Sequence, residues 1–237
     1  RVLQYMRRIV GSDEFINGIE RWCFWITDDK ADAALEIPII KERADLVRDL
    51  RLGKSDKSAQ RLAAYPYRFR EMHETTTNSL VIPSVSSENR EYVPVGFVDK
   101  KTVVTNLAFV IYDCDPWILG VVSSKMHNLW IKAVCGGLET RIRYSSELGY
   151  NTFPFPAITD EQKKDIRNCV NQVIAAREEE FDKTYAQMYK KDEMSDDLRF
   201  AHSMLDLQVE RCYRDEPFVS DDERLDCLFE LYEKIGG

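Results

Sequence analysis

Glu139, Arg141 and Arg143 alternate with Thr140 and Ile142, and residues two apart on an extended segment point to one side. A guanidinium can donate two hydrogen bonds to guanine O6 and N7, and a carboxylate can accept one from cytosine N4. Glu139 and Arg141 could therefore read the two halves of one C·G pair. The same spacing also fits an ordinary ion pair on a solvated edge, and Arg143 fits a structural arginine supporting the loop before Tyr144. A second polar cluster runs Ser86-Ser87-Glu88-Asn89-Arg90-Glu91-Tyr92. Ser86 and Ser87 could donate to phosphate, Arg90 could meet phosphate or a base, and Tyr92 could line the same groove. The other reading is a turn closed by its own Ser and Asn side chains. Between residues 41 and 70, nine Lys and Arg, including Arg48, Arg51 and Lys54, stand against four acids. Such a run either grips phosphates without reading sequence or is one solvated helix face.

Other chemistries have no foothold. His73, His127 and His202 are isolated, with no metal-ligand spacing, so no metal site is expected. There is no Gly-x-Ser-x-Gly, no Walker-type Gly-x-x-x-x-Gly-Lys-Ser/Thr loop and no Gly-x-Gly-x-x-Gly. Asp28-Asp29-Lys30 and Asp99-Lys100-Lys101 read as solvated loops. A hydrolase built on Cys114, His127 and Asp113 is a distant rival. No catalytic residue is assigned. The six cysteines contain no Cys-x-x-Cys and mostly lie in apolar surroundings, as reduced core thiols of a cytoplasmic protein do.

The elements that must position these residues follow from periodicity. Residues 21–27 suggest a buried strand, 38–64 a helical stretch, and 79–84, 92–98 and 102–112 strands. Residues 116–135 suggest one mostly buried helix stopped by Gly136-Gly137. Two prolines in Asn151-Thr152-Phe153-Pro154-Phe155-Pro156 interrupt regular structure. Beyond them three helices are expected, capped at Thr159, Ser195 and Ser220. Met126, His127 and Trp130 are expected in the core, and Tyr150–Pro156 as a packed joint.

The 237 residues are 44% hydrophobic and 31% charged, enough for a core. No apolar run is long enough to span a membrane. The net charge of −8 argues against a nucleic-acid partner until it is divided. Residues 1–156 hold 21 basic and 20 acidic residues, whereas 157–237 hold 12 and 21. The acidity belongs to the C-terminal third, which offers an alternative role as a protein-docking helical bundle. The chain opens mid-pattern without Met and reads as a piece of a longer polypeptide.

The sequence resembles the C-terminal portion of the MmeI-like (type IIL) restriction–modification enzymes and related adenine-N6 DNA methyltransferases. The resemblance rests on Ser-Ser-Glu-x-Arg-x-Tyr-x-Pro at 86–94, Ser-x-Met-His-x-x-Trp at 124–130 and Arg-Tyr-Ser at 143–145. Tyr-Asn-Thr-Phe-Pro-x-Pro at 150–156 and Ala-His-x-x-Leu-Asp at 201–206 complete it. It runs from about Arg21 to about Tyr232, with Phe155 standing where the family usually has Trp. It implies an α+β fold: a mixed α/β DNA target-recognition domain over 1–156, then a small C-terminal helical domain over 157–237. It also implies double-stranded DNA as partner, with Glu139 and Arg141 at a place where the family carries Glu/Arg or a swapped Lys/Asp. The methyltransferase domain, with its S-adenosylmethionine site, would lie upstream in a prokaryotic parent, with endonuclease activity left open. No cofactor is expected on the present residues.

Overall fold

The computed structural model describes residues 1–135, 137–138 and 141–236. In chain order the elements are β1 (Met6–Val10), α1 (Ser12–Asn17), β2 (Trp22–Phe24), α2 (Ala31–Leu35), α3 (Pro38–Leu52) and α4 (Lys57–Leu62). Then come β3 (Ser79–Pro83), β4 (Val85–Ser86), β5 (Gly96–Val98), β6 (Val103–Val104) and β7 (Ala108–Ile111). The remainder is α5 (Pro116–Ser123), α6 (Lys125–Val134), β8 (Gly137–Leu138), β9 (Arg141–Arg143), α7 (Asp160–Glu178), α8 (Tyr185–Met188), α9 (Asp196–Glu210) and α10 (Asp221–Gly236). The fold is α+β, with the helices gathered toward the C-terminus. No helix among the described residues is long and apolar enough to cross a membrane.

The chain forms two compact units. The first holds residues 1–9, 20–76 and 100–103; the second holds 10–19, 77–99 and 104–237. In the first unit β1 pairs antiparallel with β2, Arg7 opposite Cys23. Tyr5, Ile26, Ala31, Ala34 and Ile40 make its small core. Pro38 opens α3 at a position where a missing N–H costs nothing. Asp56 caps α4 by accepting from the Ser58 N–H at 2.9 Å.

The second unit has two three-stranded sheets, in orders β5-β3-β7 and β4-β9-β8. Its core runs without interruption from Leu80 and Ile82 through Val122, Met126 and Trp130 to Val170, Leu205 and Leu228. Residues on both sides of Pro156 thus share one apolar interior. Gly120 lies where α5 meets α7. A Cβ there would sit 3.1 Å from Leu205 Cδ1 and Val170 Cγ2 and closer still to Ile166, so only glycine admits this approach.

The expected helix over 116–135 is two helices. Ser124 is extended (φ −68, ψ 160), and its hydroxyl accepts from the His127 N–H at 3.3 Å, ending α5 and capping α6. The expected strand over 92–98 shortens to Gly96–Val98. Pro94 has no N–H to give a ladder, and the Val93 N–H goes instead to Asn128 Oδ1 at 3.3 Å. The Thr159 capping box and the caps at Ser195 and Ser220 form as expected. Met126, His127 and Trp130 are all buried, as their helical spacing predicts.

Candidate nucleic-acid interface

Two of the polar segments singled out in the sequence converge on one sheet. The strand β9 pairs antiparallel with β4 on one side, Val85 opposite Arg143 and Ser86 opposite Ile142. On its other side it pairs with β8, Leu138 opposite Arg141. Arg141 and Arg143 take the first and third positions of β9. Arg143 is exposed, and no hydrogen bond or ion pair engages it among the described residues. Glu139 lies outside the described residues.

The chain leaves β4 directly into the Ser87–Arg90 turn. The turn is closed by the Arg90 N–H on Ser87 O at 3.2 Å and the Asn89 N–H on Ser87 Oγ at 3.2 Å. Glu88 and Asn89 are exposed, and Ser87 and Arg90 half-buried. The Arg90 guanidinium reaches Ser86 Oγ at 3.5 Å, while its buried Nε has no partner. Burial lowers its pKa from the usual arginine value.

Tyr92 does not line a groove. It is 8% exposed, and its hydroxyl donates to Asp206 Oδ2 at 2.7 Å. Burial, followed by the adjacent Asp206 charge, pushes its phenol far above the ordinary value. Asp206 also accepts from the Lys125 N–H at 2.7 Å, and its own burial lifts its pKa to about 7. The Tyr92 ring stacks on buried His202, and His202 Nε2 meets the Tyr189 hydroxyl at 2.8 Å. Tyr189 in turn accepts from Nε of the buried Arg177 at 2.6 Å. Sequence reasoning takes His202 and Asp206 only as members of the Ala-His-x-x-Leu-Asp motif at 201–206, without a role, and gives no sign of Tyr189 or Arg177. The available signal was His202 and Asp206 four apart, polar residues among Leu198, Ala201, Leu205 and Val209 on the buried face of α9.

The basic stretch belongs to the first unit, where Arg48, Arg51, Arg68 and Arg70 are already engaged. Arg51 donates to the carbonyls of Leu62 (3.0 Å), Tyr65 (2.9 Å) and Arg68 (2.7 Å). This guanidinium ties α3 to the chain that follows α4. Arg48 pairs with Asp45 at 2.6 Å, Arg68 with Asp28 at 2.7 Å and Arg70 with Asp56 at 2.9 Å. Lys54 is exposed, and among the described residues its side chain has no partner. A cavity of about 340 Å³ in this unit is lined by Trp22, Phe24, Tyr67 and Phe69 together with Arg43, Arg51 and Arg68.

The hydrolase rival finds no support. Burial raises the Cys114 thiol to about 12, so no thiolate forms near neutrality. His127, pushed down to about 3 by burial, spends Nε2 on the Tyr144 hydroxyl at 3.0 Å. Asp113 holds Thr77 through its N–H and hydroxyl. No cluster of His, Cys, Asp or Glu suited to a metal ion occurs among the described residues.

Comparison with known proteins gives a concordant result across the chain. Residues 1–157 match the MmeI target recognition domain, and residues 158–236 match the MmeI C-terminal domain. A curated relative, DNA methyltransferase A of Bacillus subtilis (strain 168), is 42% identical over 234 residues. That match covers 99% of this chain and 26% of the relative. A solved structure of the type IIL restriction–modification enzyme MmeI in complex with DNA superposes with a TM-score of 0.92 at 36% identity. It covers 99% of this chain and 31% of that one. The chain therefore spans about a quarter to a third of the length of these relatives.

Proposed function

Because this chain belongs to the family of MmeI target recognition and C-terminal domains, we propose that it selects the DNA sequence on which a methyltransferase domain of the same polypeptide acts. The observation that carries this reading is the junction of β4 and β9. It sets the Ser87–Arg90 turn beside the strand bearing Arg141 and Arg143, so two segments with hydrogen-bonding side chains can meet one duplex. Residues 1–156 supply the recognition domain and 157–237 the helical domain.

In this reading Glu139 and Arg141 contact the two bases of one pair, and Arg143 a neighbouring base or phosphate. Ser87 and Arg90 position the backbone, and Lys54 adds sequence-independent attraction, the Arg48 charge being spent on Asp45. Tyr92 and Arg51 act from within the protein rather than on the DNA. The parent polypeptide carries S-adenosylmethionine in its upstream domain and methylates adenine N6 on an extruded base, in the cytoplasm of a prokaryote. Endonuclease activity would reside in a further domain.

The test is the paired exchange Glu139→Lys with Arg141→Asp in the full-length polypeptide. Sequencing of methylated DNA is expected to show a changed base pair at one position of the site, with the overall methylation rate within about tenfold of the original. Retention of the original site by the double variant would remove these residues from base reading.

A further inference from the structure

The segment from Asn89 to Val93 is held group by group from the protein side. Asn89 O accepts from the Lys191 N–H at 2.8 Å, the Glu91 N–H donates to Tyr189 O at 3.3 Å, and Arg90 and Lys190 form an antiparallel bridge. The Glu91 carboxylate takes Arg199 Nε at 3.1 Å. Next along the chain, the Tyr92 hydroxyl donates to Asp206 at 2.7 Å. Its ring lies on His202 with centroids 4.2 Å apart and planes 22° from parallel.

The layer beneath is ordered by Arg177. Its Nε can only donate, so Tyr189 Oη accepts from it at 2.6 Å, and the same oxygen meets His202 Nε2 at 2.8 Å. Burial, followed by the nearby Arg177 charge, keeps His202 neutral. The neutral ring offers Tyr92 a flat face and adds no second cation beside Arg177. The ordering costs a buried charge and two buried imidazole and guanidinium nitrogens without partners, His202 Nδ1 and Arg177 Nη2. A core with only packing to satisfy would fill the space with apolar side chains.

We propose that Tyr92, gripped by Asp206 and His202, is a positioning residue for DNA reading, so that the C-terminal helical region sets sequence preference through the Ser87–Arg90 turn. The inference rests on the DNA-selecting function proposed above. The turn begins at a strand of two residues, Val85–Ser86, too short to fix it alone. Its far end is fixed by the contacts from Tyr189 to Asp206. Hydrogen-bond readout weakens steeply with misplacement of well under an ångström, so loosening this grip degrades discrimination before it degrades binding.

The test uses the full-length polypeptide containing this chain, a randomised duplex library, and sequencing of the retained duplexes, with thermal unfolding run in parallel. Tyr92→Phe removes one hydroxyl. It is expected to lower the preference for the selected site over its one-base variants about tenfold, with total retention and its salt dependence unchanged below the unfolding transition. A preference within about twofold of the unsubstituted protein overturns the positioning role and leaves DNA selection intact. If the unsubstituted protein enriches no common sequence, the DNA-selecting function itself fails, and this proposal with it. Should Tyr92→Phe not fold, Glu91→Gln decides by the same measure. That variant breaks only the half-exposed pair with Arg199, and a loss of about threefold is expected.

Discussion

The first unit and the β4–β9 sheet of the second use their cations differently: part of the first unit's charge is spent inside the protein, while Lys41, Arg43, Lys54, Lys57 and Arg61 stay exposed and unpaired among the described residues. Along α3 and the chain that follows, Arg48, Arg68 and Arg70 each face a carboxylate, and Arg51 is consumed by three backbone carbonyls. The sheet has far fewer charges. However, Arg143 stands exposed there, and Arg90 keeps one nitrogen buried and unsatisfied. What an incoming phosphate or base meets is the charge left over after internal partners are subtracted. Density of Lys and Arg along a sequence is a poor measure of that remainder.

The largest expected effect that could break the contrast is on stability. Arg51→Ala strands three carbonyls and is expected to cost about 2–3 kcal/mol in chemical denaturation. A cost below about 0.5 kcal/mol would mean that those contacts are idle and would return Arg51 to the pool of cations free for DNA. Next comes Arg143→Ala, expected to leave stability unchanged. Its loss of about 1–3 kcal/mol in DNA affinity should be accompanied by relaxed choice at one base pair. A uniform drop across sequences, with a shallower salt dependence, would make Arg143 a phosphate contact instead.

The third effect is spread over a range of pH and concerns the buried layer around Asp206. Asp206 ionises near 3.8 when unfolded and near 7 in the fold. The folded state thus holds this proton more tightly, and its contribution to stability is lost as pH rises from about 4 to 7. His127 and His202, kept neutral by burial, act with the opposite sign. The unfolded chain takes up their protons below about 6.5, so stability falls on acidification. Asp206→Asn removes the opposing contribution. The acid-side loss of stability should steepen by up to about 1.4 kcal/mol per pH unit between pH 4 and 7, measured by denaturant titration at several pH values. An unchanged slope would show that Asp206 ionises as an ordinary carboxylate.

Local rules made much of the fold legible. Proline and hydroxyl caps set where α3, α7, α9 and α10 begin, because these signals act within four residues. The break at Ser124 was written in the same code, but the helical spacing of apolar residues on both sides of it, from Trp117 to Val134, masked it. The candidate site was legible at its surface, in Ser87, Arg90 and Arg143, whose residue types suit base edges and phosphates. Its support was not. Tyr92 and Asp206 lie 114 positions apart in the chain, and no periodicity links a phenol to so distant a carboxylate. Tyr92 consequently looked like a groove residue when it is an anchor. Arg51 misled in the same way, since its carbonyl partners are set by a bend in the chain that charge counting does not see.

The two-residue and three-residue strands β4 and β9 have a further consequence, for inheritance. Arg143, Glu88 and Asn89 project from the sheet and turn without filling the core, so a substitution at any of them alters what the surface offers while the interior goes unchanged. Change at Tyr92 instead strands Asp206, and change at Gly120 collides with Ile166. Under the proposed function, single substitutions at this rim change the sequence selected, while the interior beneath permits almost none.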